Sequence, residues 1–227
     1  MTQATRQFTL AEICNCEGLG LHTGKPVTMQ FIPAPANAGI RFVRTDLAGS
    51  PSIRPLLDNV VATNRGTIIS ENGSSVHTVE HVLSALHGCG VDNLEIRLSS
   101  EEPPVLDGSA MNFVAMIEKA GLAAQEAEKQ YCEVHEIFSL CEGEKSMSYL
   151  PSDRFEVTYH LAYSDDLVAP RHLHIEISPE MFKSRVCRAR TFGFEREFDM
   201  LKQHNLARGG SLENAIVIDN HGKVMNP

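Results

Sequence analysis

Four apolar residues, Val79, Val82, Leu83 and Leu86, recur at i, i+3, i+4 and i+7. That stripe fits a helix that buries one face. Around it the apolar residues alternate with polar ones, the period of a strand with one covered face. Val27-Thr28-Met29-Gln30-Phe31-Ile32 is such a run, and Pro33-Ala34-Pro35-Ala36-Asn37-Ala38-Gly39 after it reads as a turn. Further strands are expected at 8–16, 40–43, 60–62, 66–69 and 93–98, with Glu71-Asn72-Gly73-Ser74 as a tight turn. The helix should run over 79–87, with Thr78 as its N-cap and Gly88 just past its end. A second helix should follow Asp107-Gly108-Ser109, where Phe113, Met116, Ile117 and Ala120 repeat the stripe and Gly121 stops it.

The polar run Ala123-Ala124-Gln125-Glu126-Ala127-Glu128-Lys129-Gln130 lacks bulky apolar residues and reads as a boundary. Beyond it strands are expected at 131–141, 146–149, 155–163, 172–177, 188–194 and 215–218, with helices near 179–184 and 197–204. The pattern predicts two α+β domains of similar size, 1–124 and 131–227, joined by a linker at 125–130.

Composition narrows the function. With 227 residues, 42% hydrophobic and 22% charged, the chain has enough apolar material for a sizeable core. A net charge of -9 without a Lys/Arg run disfavours nucleic acid as a partner. No apolar run approaches the roughly 20 residues of a membrane span, and the N-terminus lacks the apolar segment of a signal peptide. The six cysteines form no C-x-x-C pair, which suits reduced thiols in a cytoplasm.

The chemistry concentrates at His77-Thr78-Val79-Glu80-His81. A neutral imidazole can hold a metal, and an adjacent carboxylate can take a proton from water. The stretch also spells the H-x-x-E-H of inverted zinc peptidases. In those enzymes both histidines share a helical face, which a cap at Thr78 would prevent. Glu80 as a helix-start acid and His81 as a surface residue is the plain alternative. Gly18–Lys25 matches neither phosphate-loop nor dinucleotide spacing and reads as a β-turn. His172-x-His174 would put two imidazoles on one strand face, suiting a metal or merely water. Asp92, Asp107, Asp165 and Asp166 read as turn or cap acids. Arg188-Ala189-Arg190-Thr191-Phe192-Gly193-Phe194 is dense in Arg and Phe, and there Thr191 could polarise a carbonyl beside an apolar channel.

Eight segments in order resemble one family. They are Gly18-Leu19-Gly20-Leu21-His22-Thr23-Gly24, Pro33-Ala34-Pro35-Ala36-Asn37, Arg44-Thr45-Asp46, Thr78-Val79-Glu80-His81, Asp92-Asn93, Pro104-Val105-Leu106-Asp107-Gly108-Ser109-Ala110, the Arg188–Phe194 run, and Gly209-Gly210-Ser211 leading to Asn214-Ala215-Ile216-Val217. Together they resemble the UDP-3-O-acyl-N-acetylglucosamine deacetylases of lipid A biosynthesis. The resemblance implies two α+β domains, each a mostly antiparallel sheet with packed helices, and a site between them. It implies Zn2+ as cofactor and hydrolysis of the N-acetyl group of an acylated UDP-glucosamine. It assigns Glu80 as general base, His81 as zinc ligand and Thr191 as the hydroxyl facing the oxyanion. Phe192, Phe194, Gly210 and Ser211 then line the passage for the acyl chain, and Tyr163 contacts the nucleotide. Two further zinc ligands, a substrate-contacting Lys and a second catalytic His are expected after the final hairpin, but the sequence ends at Asn226-Pro227. The segment Ala162-Tyr163-Ser164-Asp165-Asp166 departs from the family, which places an aromatic residue before a His-Pro pair there. With one ligand of three, the chain alone is expected to be inactive.

Overall fold

The structure is a computed structural model that describes residues 6–163 and 167–227. Strands β1 (Arg6–Leu10), β2 (Cys14–Leu19), β3 (Pro26–Pro33), β4 (Ile40–Arg44) and β5 (Ser52–Ile53) come first. They are followed by β6 (Val60–Ala62), β7 (Ile68–Glu71), β8 (Ser74–Val76), helix α1 (Glu80–Cys89), β9 (Leu94–Leu98), α2 (Met111–Ala120) and β10 (Leu122–Glu128). Five of the strands form one sheet in the order β2-β3-β9-β4-β5, antiparallel except where β4 meets β9. Val27, Met29 and Phe31 alternate inward along β3, as a period of two requires. They join Phe42, Leu94, Ile96 and Leu98 of the sheet, Val82 and Leu86 of α1, and Phe113 and Ile117 of α2 in one core. The turn between β7 and β8 has positive φ at Asn72 and Gly73 (52° and 80°), the conformation a two-residue hairpin favours.

The second half contains β11 (Phe138–Glu142), β12 (Lys145–Tyr149), β13 (Glu156–Leu161), β14 (Arg171–Glu176), α3 (Pro179–Met181) running into a π-turn at 182–186, β15 (Phe192–Phe194), α4 (Phe198–Gln203) and β16 (Ile216–Ile218). Its strands form separate pairs: β11 with β12 and β13 with β14, both antiparallel, and β15 parallel to β16 across α4. The architecture is α+β with mostly antiparallel ladders. Among the described residues, no helix is long and apolar enough to cross a membrane.

Several boundaries differ from the sequence reading. The run read as a boundary is the strand β10, antiparallel to β1. Its inward residues are Ala and Gln rather than bulky apolar ones, and Gln125 binds the Asn93 amide (2.7 Å) and the Ala34 carbonyl (2.8 Å). The strand expected at 188–194 shortens to β15, with the Arg190 side chain and the Thr191 N–H bonded to the Asp107-Gly108 loop ahead of it. The helix expected at 79–87 runs from Glu80 to Cys89, and Gly90 (φ 78°) ends it. Gly88 lies inside α1, where a Cβ would stand 2.3 Å from the Phe182 ring. Phe182 and Cys187 are thus second-half residues buried in the first-half core.

Candidate active site

Thr78 does not cap α1. The position before the helix is Val79, and no side chain caps it. Thr78 instead has left-handed backbone (φ 52°), unusual for a β-branched residue, and its hydroxyl donates to Glu102 Oε1 (2.8 Å). Glu102 is fully buried. It also accepts from the His22 N–H (3.0 Å), the Thr23 N–H (2.8 Å) and the Thr23 hydroxyl (2.8 Å). A buried carboxylate needs such donors to offset its lost hydration. Glu102 therefore ties the Gly20–Gly24 turn to the entry of α1. The sequence reading missed it, and its one hint is its place just before the apolar run Pro103-Pro104-Val105.

Glu80 opens α1, where free N–H groups and the helix dipole favour an anion. Its Oε2 accepts from the Thr67 N–H (3.0 Å). A Cβ at Gly66 would stand 3.2 Å from Thr78 Oγ1, a tight approach, and 3.6 Å from Glu80 Oε1, so this loop lies directly against the carboxylate. His81 lies beside a small, mostly apolar cavity lined by Leu21, Thr78, Val82, Pro103, Pro104, Val105 and Phe113. Burial holds its imidazole below the usual histidine pKa, opposed by the nearby Glu80 and Asp107 carboxylates. A neutral ring is the form that can accept a proton or ligate a metal.

His77 is not a second face-mate. It precedes the helix, its N–H donates to the Glu101 carbonyl (2.8 Å), and its ring approaches the Ser75 hydroxyl (3.4 Å). Two histidines on one helical face, as the inverted peptidase motif needs, are therefore absent from α1.

Thr191 arrives from the second half. Its N–H donates to the Gly108 carbonyl (2.9 Å), and its own carbonyl accepts from the Ile216 N–H (2.9 Å). Arg190 Nε donates to the Asp107 carbonyl (2.7 Å). Gly108 (φ 79°) is packed so closely that a Cβ would meet the Asn214 carbonyl oxygen at 1.8 Å and Thr191 Cγ2 at 3.4 Å. The Asp107-Gly108 loop, which faces His81 electrostatically, is thus the seat for Thr191.

Tyr163, Phe192 and Phe194 form a trio of edge-to-face rings with centroids 5.4 to 6.1 Å apart. The Arg196 guanidinium lies 4.7 Å over the Phe194 ring. Gly210 closes a turn on the Ala207 carbonyl (3.1 Å) and the Ser211 N–H donates to Asn214 Oδ1 (2.8 Å), directly after residues that pack on the Gly20–Gly24 turn. The neighbouring Arg208 and Gly209 N–H groups donate to the His22 and Leu21 carbonyls (3.3 and 3.0 Å), and a Cβ at Gly209 would meet the Gly20 oxygen at 2.3 Å. Two glycine-rich turns, one from each half, interlock there. His22 Nε2–H donates to the Arg65 carbonyl (3.0 Å), which leaves Nδ1 to accept from the Ala207 N–H (3.3 Å).

The remaining candidates have plainer roles. Asp107 accepts from the Ser109 N–H (3.1 Å), as a turn acid does. Asp92 is instead a long-range tie, accepting from the Phe8 N–H (2.8 Å) and pairing with Lys129 (3.0 Å). His172 Nδ1 lies 3.1 Å from His160 Nδ1, and His174 bonds Thr158 (2.8 Å). Ser164, Asp165 and Asp166 lie outside the described residues.

A family model described as "LpxC: UDP-3-O-acyl N-acetylglycosamine deacetylase" matches residues 7–227. The chain belongs to this LpxC family. It is 42% identical over 221 residues to the UDP-3-O-acyl-N-acetylglucosamine deacetylase of Myxococcus xanthus, covering 97% of this chain and 70% of that protein. It is 40% identical over 213 residues to the deacetylase of the same name from Syntrophus aciditrophicus, covering 94% and 68%. For the Alcanivorax borkumensis deacetylase the figures are 39% over 223 residues, 97% and 73%. A hydrolytic zinc ion takes about three protein ligands and a water. Among the described residues of this LpxC-family chain, no group of three His, Cys, Asp or Glu side chains could hold a metal. His81 is not joined there by two further metal-binding side chains, so the described residues do not assemble a catalytic zinc site.

Proposed function

We propose that this chain forms the base-and-hydroxyl part of a deacetylase site acting on the N-acetyl group of a UDP-3-O-acyl-N-acetylglucosamine. The reaction is an early cytoplasmic step of lipid A synthesis. The observation that carries the reading is the convergence of Glu80, His81 and the Thr191 seat at Asp107-Gly108 within a chain that matches the family over residues 7–227. In this reading the acetamide carbonyl lies between the two halves. Glu80, held by the Thr67 N–H, takes a proton from the attacking water. The Thr191 hydroxyl, fixed by its backbone bonds to Gly108 and Ile216, donates to the oxygen that gains charge. The bond to the sugar nitrogen breaks as that nitrogen takes up a proton, releasing acetate and the free amine. The trio of Tyr163, Phe192 and Phe194 offers apolar ring faces to the fatty acyl chain, and Gly210 and Ser211 border the same passage.

We assign His81 to Zn2+ as its single contact among the described residues, so that the chain alone holds the ion weakly. A second reading, an inactive module that binds the acylated nucleotide sugar, draws support from the same lack of a three-ligand group. The test is acetate release from the acylated UDP-N-acetylglucosamine with saturating zinc, beside calorimetric binding of the same compound. Micromolar binding without release supports the second reading, whereas release that Glu80→Gln lowers about 100-fold or more supports the proposal. Failure to bind, or release untouched by Glu80→Gln, contradicts it.

A further inference from the structure

The two groups assigned to chemistry stand on different halves: Glu80 at the start of α1, Thr191 just before β15. Thr191 is fixed by direct backbone bonds to Gly108 and Ile216. Glu80 is fixed differently, through the loop that carries Thr67, and that loop makes its own bond to the second half. Arg65, two residues before Thr67, reaches Glu197 with both terminal nitrogens, at 2.9 and 2.8 Å. Such fork-on-fork pairing fixes orientation as well as distance. Glu197 closes the short 3-10 turn Glu195–Glu197 that directly follows β15. Its carboxylate also accepts from the Phe194 backbone, and the Arg65 guanidinium holds it below the usual carboxylate pKa. Arg65 itself has left-handed backbone (φ 62°), and its carbonyl receives the His22 Nε2–H. An extended residue at this position would turn the loop elsewhere.

We propose that Arg65 and Glu197 are positioning residues that set the spacing between the base and the oxyanion hydroxyl. The connection runs from the Glu80 carboxylate to the Thr67 N–H, along Gly66 to the Arg65 guanidinium, across to Glu197, and through the Phe194 backbone into β15. Thr191 lies immediately before that strand. The ion pair adjoins the aromatic trio as well, since the Glu197 carboxylate accepts from the backbone of Phe194, one of its rings. An acyl chain entering among those rings would press on the same pair that holds the base's loop. The proposal rests on the reading of Glu80 as base. The pair is partly exposed, so its contribution is local rather than global.

The test uses the 227-residue chain and the variants Arg65→Glu, Glu197→Arg and the double exchange. Two readouts need no turnover: backbone amide exchange at Thr67, and the 13C signal of the Glu80 carboxylate, assigned with Glu80→Gln. Each single variant should speed exchange at Thr67 about fivefold and move the Glu80 signal, with Ile96 in β9 unchanged. The double exchange should restore both, which a general loss of structure would not do. Unchanged exchange at Thr67 in the single variants, or no recovery in the double exchange, overturns the proposal. Acetate release unaffected by Glu80→Gln would instead remove the reading of the base and leave the exchange result standing.

Discussion

Phe42 in β4 and Phe138 in β11 are both strand phenylalanines, yet the first is 0% exposed and the second 54%. The difference lies in what each strand has across from it. β4 belongs to a five-stranded sheet with α1 and α2 packed on the core, so its apolar face is covered. Among the described residues β11 pairs only with β12, and every residue of both strands is exposed. A two-stranded ladder satisfies its backbone bonds along one edge but buries no side chains by itself. Phe138, Leu140, Met147 and Tyr149 line one face of that ladder by register. The stability of the described structure therefore concentrates in the first half, and the proposed site inherits an asymmetry. Glu80 and His81 stand on the rigid side, whereas Thr191 is held by one loop bond to Gly108 and one bond to the edge of the short β16.

That asymmetry can be broken most forcefully in the core. Phe42→Ala should cost about 3–5 kcal/mol, while Phe138→Ala should stay within about 0.5 kcal/mol. Urea unfolding followed by circular dichroism checks both, since the chain has no Trp to report by fluorescence. Equal losses would mean that β11 and β12 are covered in solution. Next comes the seat of Thr191. Gly108→Ala meets the Asn214 carbonyl and a disfavoured φ together, and should cost about 2–3 kcal/mol. Its main mark should be faster amide exchange at Thr191 and Ile216 with β9 unaffected, and uniform acceleration would contradict a local seat. Glu102→Gln removes the charge that four donors share, and should cost about 2 kcal/mol with losses centred on His22, Thr23 and Thr78.

The smallest effect is on pH dependence. Burial lowers the pKa of His81 and His77 below the ordinary 6.5. Between each lowered value and 6.5 the unfolded chain binds more protons than the folded one, so stability rises with pH in that window. The contribution is complete above about pH 7 and is lost as pH falls through 6.5 toward the folded value. Melting curves from pH 7.5 to 5 should therefore slope downward on acidification, and His81→Phe should flatten the slope. A His81→Phe variant with the wild-type slope would place the effect elsewhere.

The sequence made the first half legible because its residues are dictated by burial. The alternation over β3, the stripes of α1 and α2, and the Asn72-Gly73 turn each follow from one local rule. β10 carries no such signal, because small Ala and polar Gln side chains face inward instead of apolar bulk. The α1 cap was misread because Thr78 is a good capping type whose hydroxyl goes instead to a carboxylate 24 residues away. Glu102, Arg65 and Glu197 escaped for the same reason: their partners are distant in sequence, and no spacing rule encodes a bond across 132 residues. Motif order singles out Glu80, His81 and Thr191 from the sequence, whereas the Thr67 N–H on Glu80 and the seat of Thr191 on Gly108 emerge only from coordinates.

The central claim is that one substrate site is framed by both unequal halves. Amide chemical-shift mapping of the 227-residue chain during titration with UDP-3-O-acyl-N-acetylglucosamine tests it most directly. The account predicts shifts in parallel at Thr67 and His81 on the first half and at Thr191, Phe192 and Phe194 on the second, with one shared binding constant. Shifts confined to one half, or centred on β11 and β12, would contradict it.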